Sequence, residues 1–174
     1  MGERRARAVA AAAVPVALVL AAVSADGPGG SETTVAAPDG VSATVPATWA
    51  RQVRTGGWTP GADGVRRPAL EAAPDLGRLH DLAGDGPGLF IGRVDAPDAR
   101  SWSGEHAGCG AAAESRVGSP HWSGVVRRWD RCPGRGVDES VLTDAADRSV
   151  VLVVQVRGGG GQAVRRLLDG VRAR

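Results

Sequence analysis

The chain has 174 residues, with 21 basic residues, all arginine, against 19 acidic ones and a formal charge of +2. That excess sits at the N-terminus, where Arg4, Arg5 and Arg7 stand against Glu3; the remainder is neutral, which argues against a nucleic-acid partner because phosphate binding needs a net positive face. Tyrosine is absent and Phe90 is the one phenylalanine, so a base-stacking platform would have to be built from tryptophan.

Residues 1–25 have the three parts of an export signal. Arg4, Arg5 and Arg7 form a positive n-region, Ala8 to Val23 runs without a charge, and Val23-Ser24-Ala25 supplies small residues before a cleavage point at Asp26. Retention as an N-terminal membrane anchor is the alternative. A span needs about 20 strongly apolar residues, whereas this run is shorter, rich in alanine and interrupted by Pro15. The expected location is therefore secreted or extracytoplasmic, with membrane contact only through this segment if it stays uncleaved. Residues 26–38 are rich in Gly, Pro, Ser and Thr and read as a flexible linker. Residues 39–174 then read as a single domain, of a length ordinary for one core.

Within that domain, Val41, Ala43 and Val45 alternate with Ser42 and Thr44, a strand that Pro46 stops. Leu70–Ala73 is a short strand. Asp75 caps a helix whose Leu76, Leu79 and Leu82 share a face, with Gly84 as its stop. Leu89–Val94 is a strand, and Trp122–Cys132 another, with Val126 on one side and Val125, Arg127 and Trp129 on the other. Glu139–Asp144 and Ser149–Val156 have the spacing of an antiparallel hairpin. The second is apolar on both faces, so it is expected in mid-sheet with cover on both sides. Val164, Leu167, Leu168 and Val171 fall at i, i+3, i+4 and i+7, one face of an amphipathic C-terminal helix. Runs of strands with helices in the middle and at the end predict an α+β fold, an antiparallel sheet packed with helices.

The chain's two cysteines, Cys109 and Cys132, follow an export signal, so one structural disulfide is the first expectation. Closing that loop removes about 3 kcal/mol of unfolded-state entropy by the chain-entropy estimate. Two alternatives stand beside it: free thiols, or a zinc site using His106, Cys109, His121 and Cys132. The wide gap from His121 to Cys132 fits structural zinc spacing poorly. Gly158-Gly159-Gly160-Gly161-Gln162-Ala163 matches the G-x-G-x-x-A pattern of dinucleotide turns. It lacks the further parallel strand and distant acid that such a site requires, so a plain strand-to-helix connection is expected and no cofactor is assigned.

No G-x-S-x-G elbow occurs, and Ser119, Ser123 and Ser140 make no triad with His80, His106 or His121 on spacing alone. Asp138 and Glu139 are adjacent, so in a strand their carboxylates point to opposite faces. No catalytic or metal-binding residue is assigned. Of five tryptophans, Trp49, Trp122 and Trp129 read as core or core-edge. Trp58 and Trp102, in Gly/Pro/Ser-rich stretches, are the candidate ligand contacts.

Several segments, taken in order, resemble an actinobacterial extracytoplasmic domain of PsbP/Mog1-like architecture, found alone or fused to signalling and protease proteins. They are Val45-Pro46-Ala47-Thr48-Trp49, Ala73-Pro74-Asp75-Leu76, Gly86-Pro87-Gly88-Leu89-Phe90-Ile91-Gly92, Trp129-x-x-Cys132, and Asp147-Arg148-Ser149 leading into Val153-Val154-Gln155-Val156. The absence of lysine and the excess of Ala, Gly, Arg and Val fit the GC-rich coding typical of actinobacteria. The resemblance spans roughly Val41 to Val171. It implies an αβα sandwich, pairing of Cys132 with Cys109, and a sensing or binding role without an assigned reaction. The expected function is a secreted, non-catalytic binding or sensing domain for an unknown ligand or envelope component. An envelope-directed hydrolase acting through His106 or His121, or a structural envelope protein, is the alternative.

Overall fold

A computed structural model describes residues 31–60, 64–80, 86–95, 106, 109–110, 112–132, 136–158 and 161–173. The chain opens with a hairpin of β1 (Glu32–Ala36) and β2 (Ser42–Pro46), in register from Glu32 opposite Pro46 to Ala36 opposite Ser42. β1 corrects the expected linker. Thr33 and Val35 alternate with exposed neighbours and are buried, so the last part of the 26–38 stretch carries an amphipathic strand that its Gly/Pro-rich start obscures. Gly40, at φ 89°, makes the turn in a conformation that favours glycine.

A single turn of 3₁₀-helix, Trp49–Arg51, leads into the main sheet. Its strands are β3 (Gln52–Trp58), β4 (Arg67–Ala73), β5 (Gly88–Val94), β6 (Ala113–Gly118), β7 (Trp122–Trp129), β8 (Val137–Asp144) and β9 (Val151–Arg157). They lie in the order β3-β4-β5-β9-β8-β7-β6, every pair antiparallel. The sheet is thus two meanders joined where β5 meets β9. As expected, β9 is central, and Val151 to Val154 are consecutively buried. Both neighbours of β9 run antiparallel to it. The glycine run that follows therefore connects strand to helix outside the parallel βαβ frame of a dinucleotide site.

Helix α1 (Leu76–His80) starts where Asp75 Oδ1 accepts from the backbone N–H groups of Gly77 and Arg78, the predicted cap. Leu82 and Gly84 lie outside the described residues. Helix α2 (Gly161–Asp169) buries Val164, Leu167 and Leu168. Val171 is also buried, but beyond the helix end: Gly170 closes the last turn, and the chain then bridges to β2 through Ser42 and Arg172.

The main core lies between one face of the sheet and a layer made of α2 and the β1–β2 hairpin. Leu70, Ile91, Val154 and Val126 meet Val35, Ala43, Val45, Leu167 and Leu168 there. On the opposite face α1 contributes Leu79, whose carbonyl accepts from the buried Arg157 guanidinium at 2.9 Å. The fold is α+β and mostly antiparallel sheet, with a β-hairpin sharing the covering layer that sequence assigned to helices alone. No helix among the described residues is long and apolar enough to cross a membrane, and residues 1–25 lie outside them.

Candidate functional site

Strand β8 carries the most unusual stretch of the sheet. Asp138, Glu139 and Ser140 are consecutive, polar and at most 3 % exposed. Burying a charge is costly unless it is paired, and strand alternation sends the two carboxylates to opposite faces. On the α2 face, Arg128 Nε donates to Asp138 Oδ1 at 2.7 Å. Burial pushes the Asp138 carboxyl above its ordinary value, outweighing the hydrogen bond and charge of Arg128 that pull it down. The same hydrogen bond holds Arg128 above its own ordinary value, so the guanidinium stays charged.

On the other face, Gln155 Nε2 donates to Glu139 Oε2 at 2.8 Å, and His106 Nε2 stands 3.5 Å from the same oxygen. The imidazole also packs edge-on against Trp129, with ring centroids 4.5 Å apart. Cross-strand register extends this into a row over seven strands: Arg54, Glu71, Phe90, Gln155, Glu139, Arg127 and Glu114. Its outer positions are closed by ion pairs from Arg54 to Glu71 and from Arg127 to Glu114.

The disulfide positions His106. Cys109 and Cys132 are bonded, with S–S 2.05 Å, which removes the free-thiol and zinc alternatives. The Cys109 N–H donates to the His106 carbonyl, and the Gly110 N–H to that of Arg131. The segment bearing the imidazole is thereby tied to the chain leaving β7. His121 lies elsewhere, exposed in the turn before β7, where its N–H donates to Ser119 Oγ. No group of three or more His, Cys, Asp or Glu among the described residues could hold a metal ion. A disulfide fits an oxidising, extracytoplasmic compartment.

A groove opens between α2 and the edge strand β6, on the Asp138 face. Two adjoining hollows of about 230 and 200 Å³ share Val117, Arg165 and Leu168 as walls. The floor of one is apolar, made by Trp122 and Leu142, and Trp122 Nε1 is satisfied by the Val171 carbonyl at 2.8 Å. The other ends at the Arg128–Asp138 pair and Gly161, the first residue of α2. Arg165 flanks the groove and has no ion-pair partner among the described residues, whereas Arg116 borders it through the β6 strand, its side chain on the far face with Glu114.

Trp58, expected in an exposed loop, instead ends β3 and is half-buried. Its Nε1 donates to the Arg93 carbonyl at 3.1 Å, and its ring meets Phe90 edge-on at 5.0 Å. It lies directly over Gly92, where a Cβ would collide with the indole. These contacts give it a packing role. The Gly56-Gly57 pair before it mimics a loop in sequence, yet both glycines are paired in the β3–β4 ladder. Trp102 lies outside the described residues. The groove arginine was not legible in the sequence, since Arg165 does not stand out among so many. The buried carboxylates had one signal, a polar Asp-Glu-Ser run between Val137 and Val141.

Comparison with protein-family models, with curated proteins and with solved structures finds no match to this chain.

Proposed function

We propose that this chain is an exported, non-catalytic binding or sensing domain acting at or outside the cell envelope, with the groove between α2 and β6 as its ligand site. The observation that carries this is an apolar floor of Trp122 and Leu142 beside the guanidinium of Arg165, which has no ion-pair partner among the described residues. Small-molecule sites combine apolar walls with a few placed polar groups in this way. Arginine forks favour carboxylate or phosphate, so the groove suits a ligand with an acidic group on an apolar body. An architecture related to the PsbP/Mog1 αβα sandwich, and release of the mature chain at Asp26, belong to the same proposal.

A thermal-shift screen of amphipathic acids against the full chain tests it, because a specific binder stabilises the folded state by mass action. Hits should be lost in Arg165→Ala and kept in Arg116→Ala, whose side chain lies on the far face. Hits that survive Arg165→Ala, or a screen without hits, would reject the groove.

One observation favours a hydrolase as the second reading. An imidazole held beside a buried carboxylate, as His106 is beside Glu139, is the orienting half of a general-base unit. Turnover of an ester, peptide or glycan that disappears in His106→Ala would select it.

A further inference from the structure

Strand β6 ends the seven-stranded sheet, and every residue in it but Val117 is exposed. It pairs with β7 without a bulge, from Ala113 opposite Arg128 to Gly118 opposite Ser123, and holds no proline. Of the usual protections of a sheet edge only charge is left, and here it carries both signs. The turn into β7 fixes which backbone groups face outward. The Ser119 N–H donates to the Trp122 carbonyl at 2.8 Å, and bonded and unbonded pairs alternate along an antiparallel ladder. Ser115 and Val117 therefore bond to β7, whereas Glu114, Arg116 and Gly118 turn their N–H and C=O groups to the open side. The side chains of Glu114 and Arg116 share the face away from α2. Glu114 pairs with Arg127 yet keeps 58 % of its side chain exposed. Arg116 has no ion-pair partner among the described residues.

We propose that the β6 edge joins a second copy of this chain, antiparallel and about a two-fold axis at Ser115, continuing the sheet from one copy into the other. A two-fold join uses the same strand twice, and only the outward-facing residues can bond across it. An axis on Glu114 sets carboxylate against carboxylate, and one on Arg116 sets guanidinium against guanidinium, both unfavourable in directly opposed positions. An axis on Ser115 sets Glu114 opposite the second copy's Arg116, and Arg116 opposite its Glu114. That register matches the outward N–H and C=O groups and both charges together. The other edge offers no such match: β3 (Gln52–Trp58) holds no acid, and its Arg54 already pairs with Glu71. The charges that set the register lie across the sheet from the α2–β6 groove, so the join stands or falls apart from the ligand site.

Sedimentation velocity of the full chain over a concentration series, up to hundreds of micromolar, tests the proposal. The expected result is a monomer–dimer equilibrium. Glu114→Arg and Arg116→Glu should each weaken it about tenfold or more, and the double variant, with the charges exchanged, should restore it. Arg116→Pro removes an N–H that faces away from β7, so it should abolish the dimer while circular dichroism shows the monomer still folded. Arg165→Ala should leave the equilibrium unchanged. The two Arg116 variants keep the test open should Glu114→Arg, which also loses the Arg127 pair, fail to fold. A chain that stays monomeric throughout the series overturns the proposal. So does a dimer that survives Arg116→Pro, which would place the join elsewhere, or a folded double variant that fails to recover association.

Discussion

Arg128 and Asp138 stand directly opposite each other on β7 and β8, joined by a 2.7 Å hydrogen bond beneath the start of α2. One residue along β8 the direction reverses, and Glu139 meets Gln155 and His106 on the far face. A single interior strand thus carries a buried charge to each side of the sheet. The groove side uses a salt bridge, and the disulfide side uses an amide and an imidazole. Such arrangements cost desolvation and recover it only while every partner stays in place.

The Arg128–Asp138 pair makes a prediction with a definite sign. Because burial lifts the folded-state pKa of Asp138 above 3.8, the folded chain holds that proton more tightly than the unfolded chain does. This group therefore adds stability as pH falls through the window between its ordinary and raised values, and withdraws it as pH rises through that window. Asp147 acts oppositely. The Ser149 hydroxyl and then the Ser149 N–H hold its carboxyl low, so its contribution is present above the ordinary value and lost as pH falls through the folded one. Urea midpoints measured across the acid range should show Asp138→Asn losing the first slope and Asp147→Asn losing the second. Arg128→Ala should cost about 1–3 kcal/mol near neutral pH, less than a fully buried pair because part of Arg128 faces solvent. A neutral effect of Arg128→Ala would mean that the carboxylate is hydrated.

The disulfide should matter to stability as well as to position. It closes a separation of 23 residues, and its loss is expected to cost about 2–4 kcal/mol. For a domain of this size that corresponds to a fall in Tm of several degrees. Intact protein should resist alkylation at Cys109 and Cys132. Calorimetry with and without reductant checks the first expectation, and mass spectrometry after labelling checks the second.

Trp58 offers a direct contrast between loop and core. With its N–H bonded to the Arg93 carbonyl and its ring against Phe90 and Gly92, Trp58→Ala should destabilise by about 2–3 kcal/mol, below the cost of a fully buried tryptophan. Trp58→Phe keeps part of the edge contact and should recover part of that loss. A change within about 0.5 kcal/mol in chemical denaturation would return Trp58 to the exposed class.

The elements that sequence predicts well are those whose own pattern decides their place. Val151 to Val154 have no polar face to leave in solvent, and they occupy the middle of the sheet. Asp75 caps α1 because the two N–H groups that it serves are local. Strands β3 and β6 were not legible, for a physical reason. β6 is an exposed edge, reading Ala-Glu-Ser-Arg-Val-Gly, and β3 holds two glycines, so neither has the apolar alternation that marks a buried face. Their pairing is imposed by β7 and β4, which is tertiary information. The same limit applies to the sites. That Asp138 and Glu139 face apart follows from strand geometry, but Arg128, Gln155 and His106 come from other parts of the chain. That neither oxygen of Asp39, in a short turn beside Gly40, finds a hydrogen-bond partner among the described residues appears only when the hairpin meets β3 and β4.

The docking of α2 is the most quantitative consequence of the fold. Val164, Leu167 and Leu168 face the sheet, while Arg165 and Arg166 are exposed. Leu168 is 6 % exposed and contributes to both the main core and the groove wall. Leu168→Ala should therefore cost about 2–5 kcal/mol, the transfer of the lost methyl groups plus the cavity left behind. Arg166→Ala, one turn position away with no partner among the described residues, should cost under about 0.5 kcal/mol. The two substitutions have similar effects on helix propensity, since both end in alanine, so the difference between them reports tertiary docking. It should be read from paired urea melts at constant m-value. Equal, small losses in both variants would detach α2 from the sheet. The groove between α2 and β6 would then lose one wall, and the ligand site proposed there would fall with it.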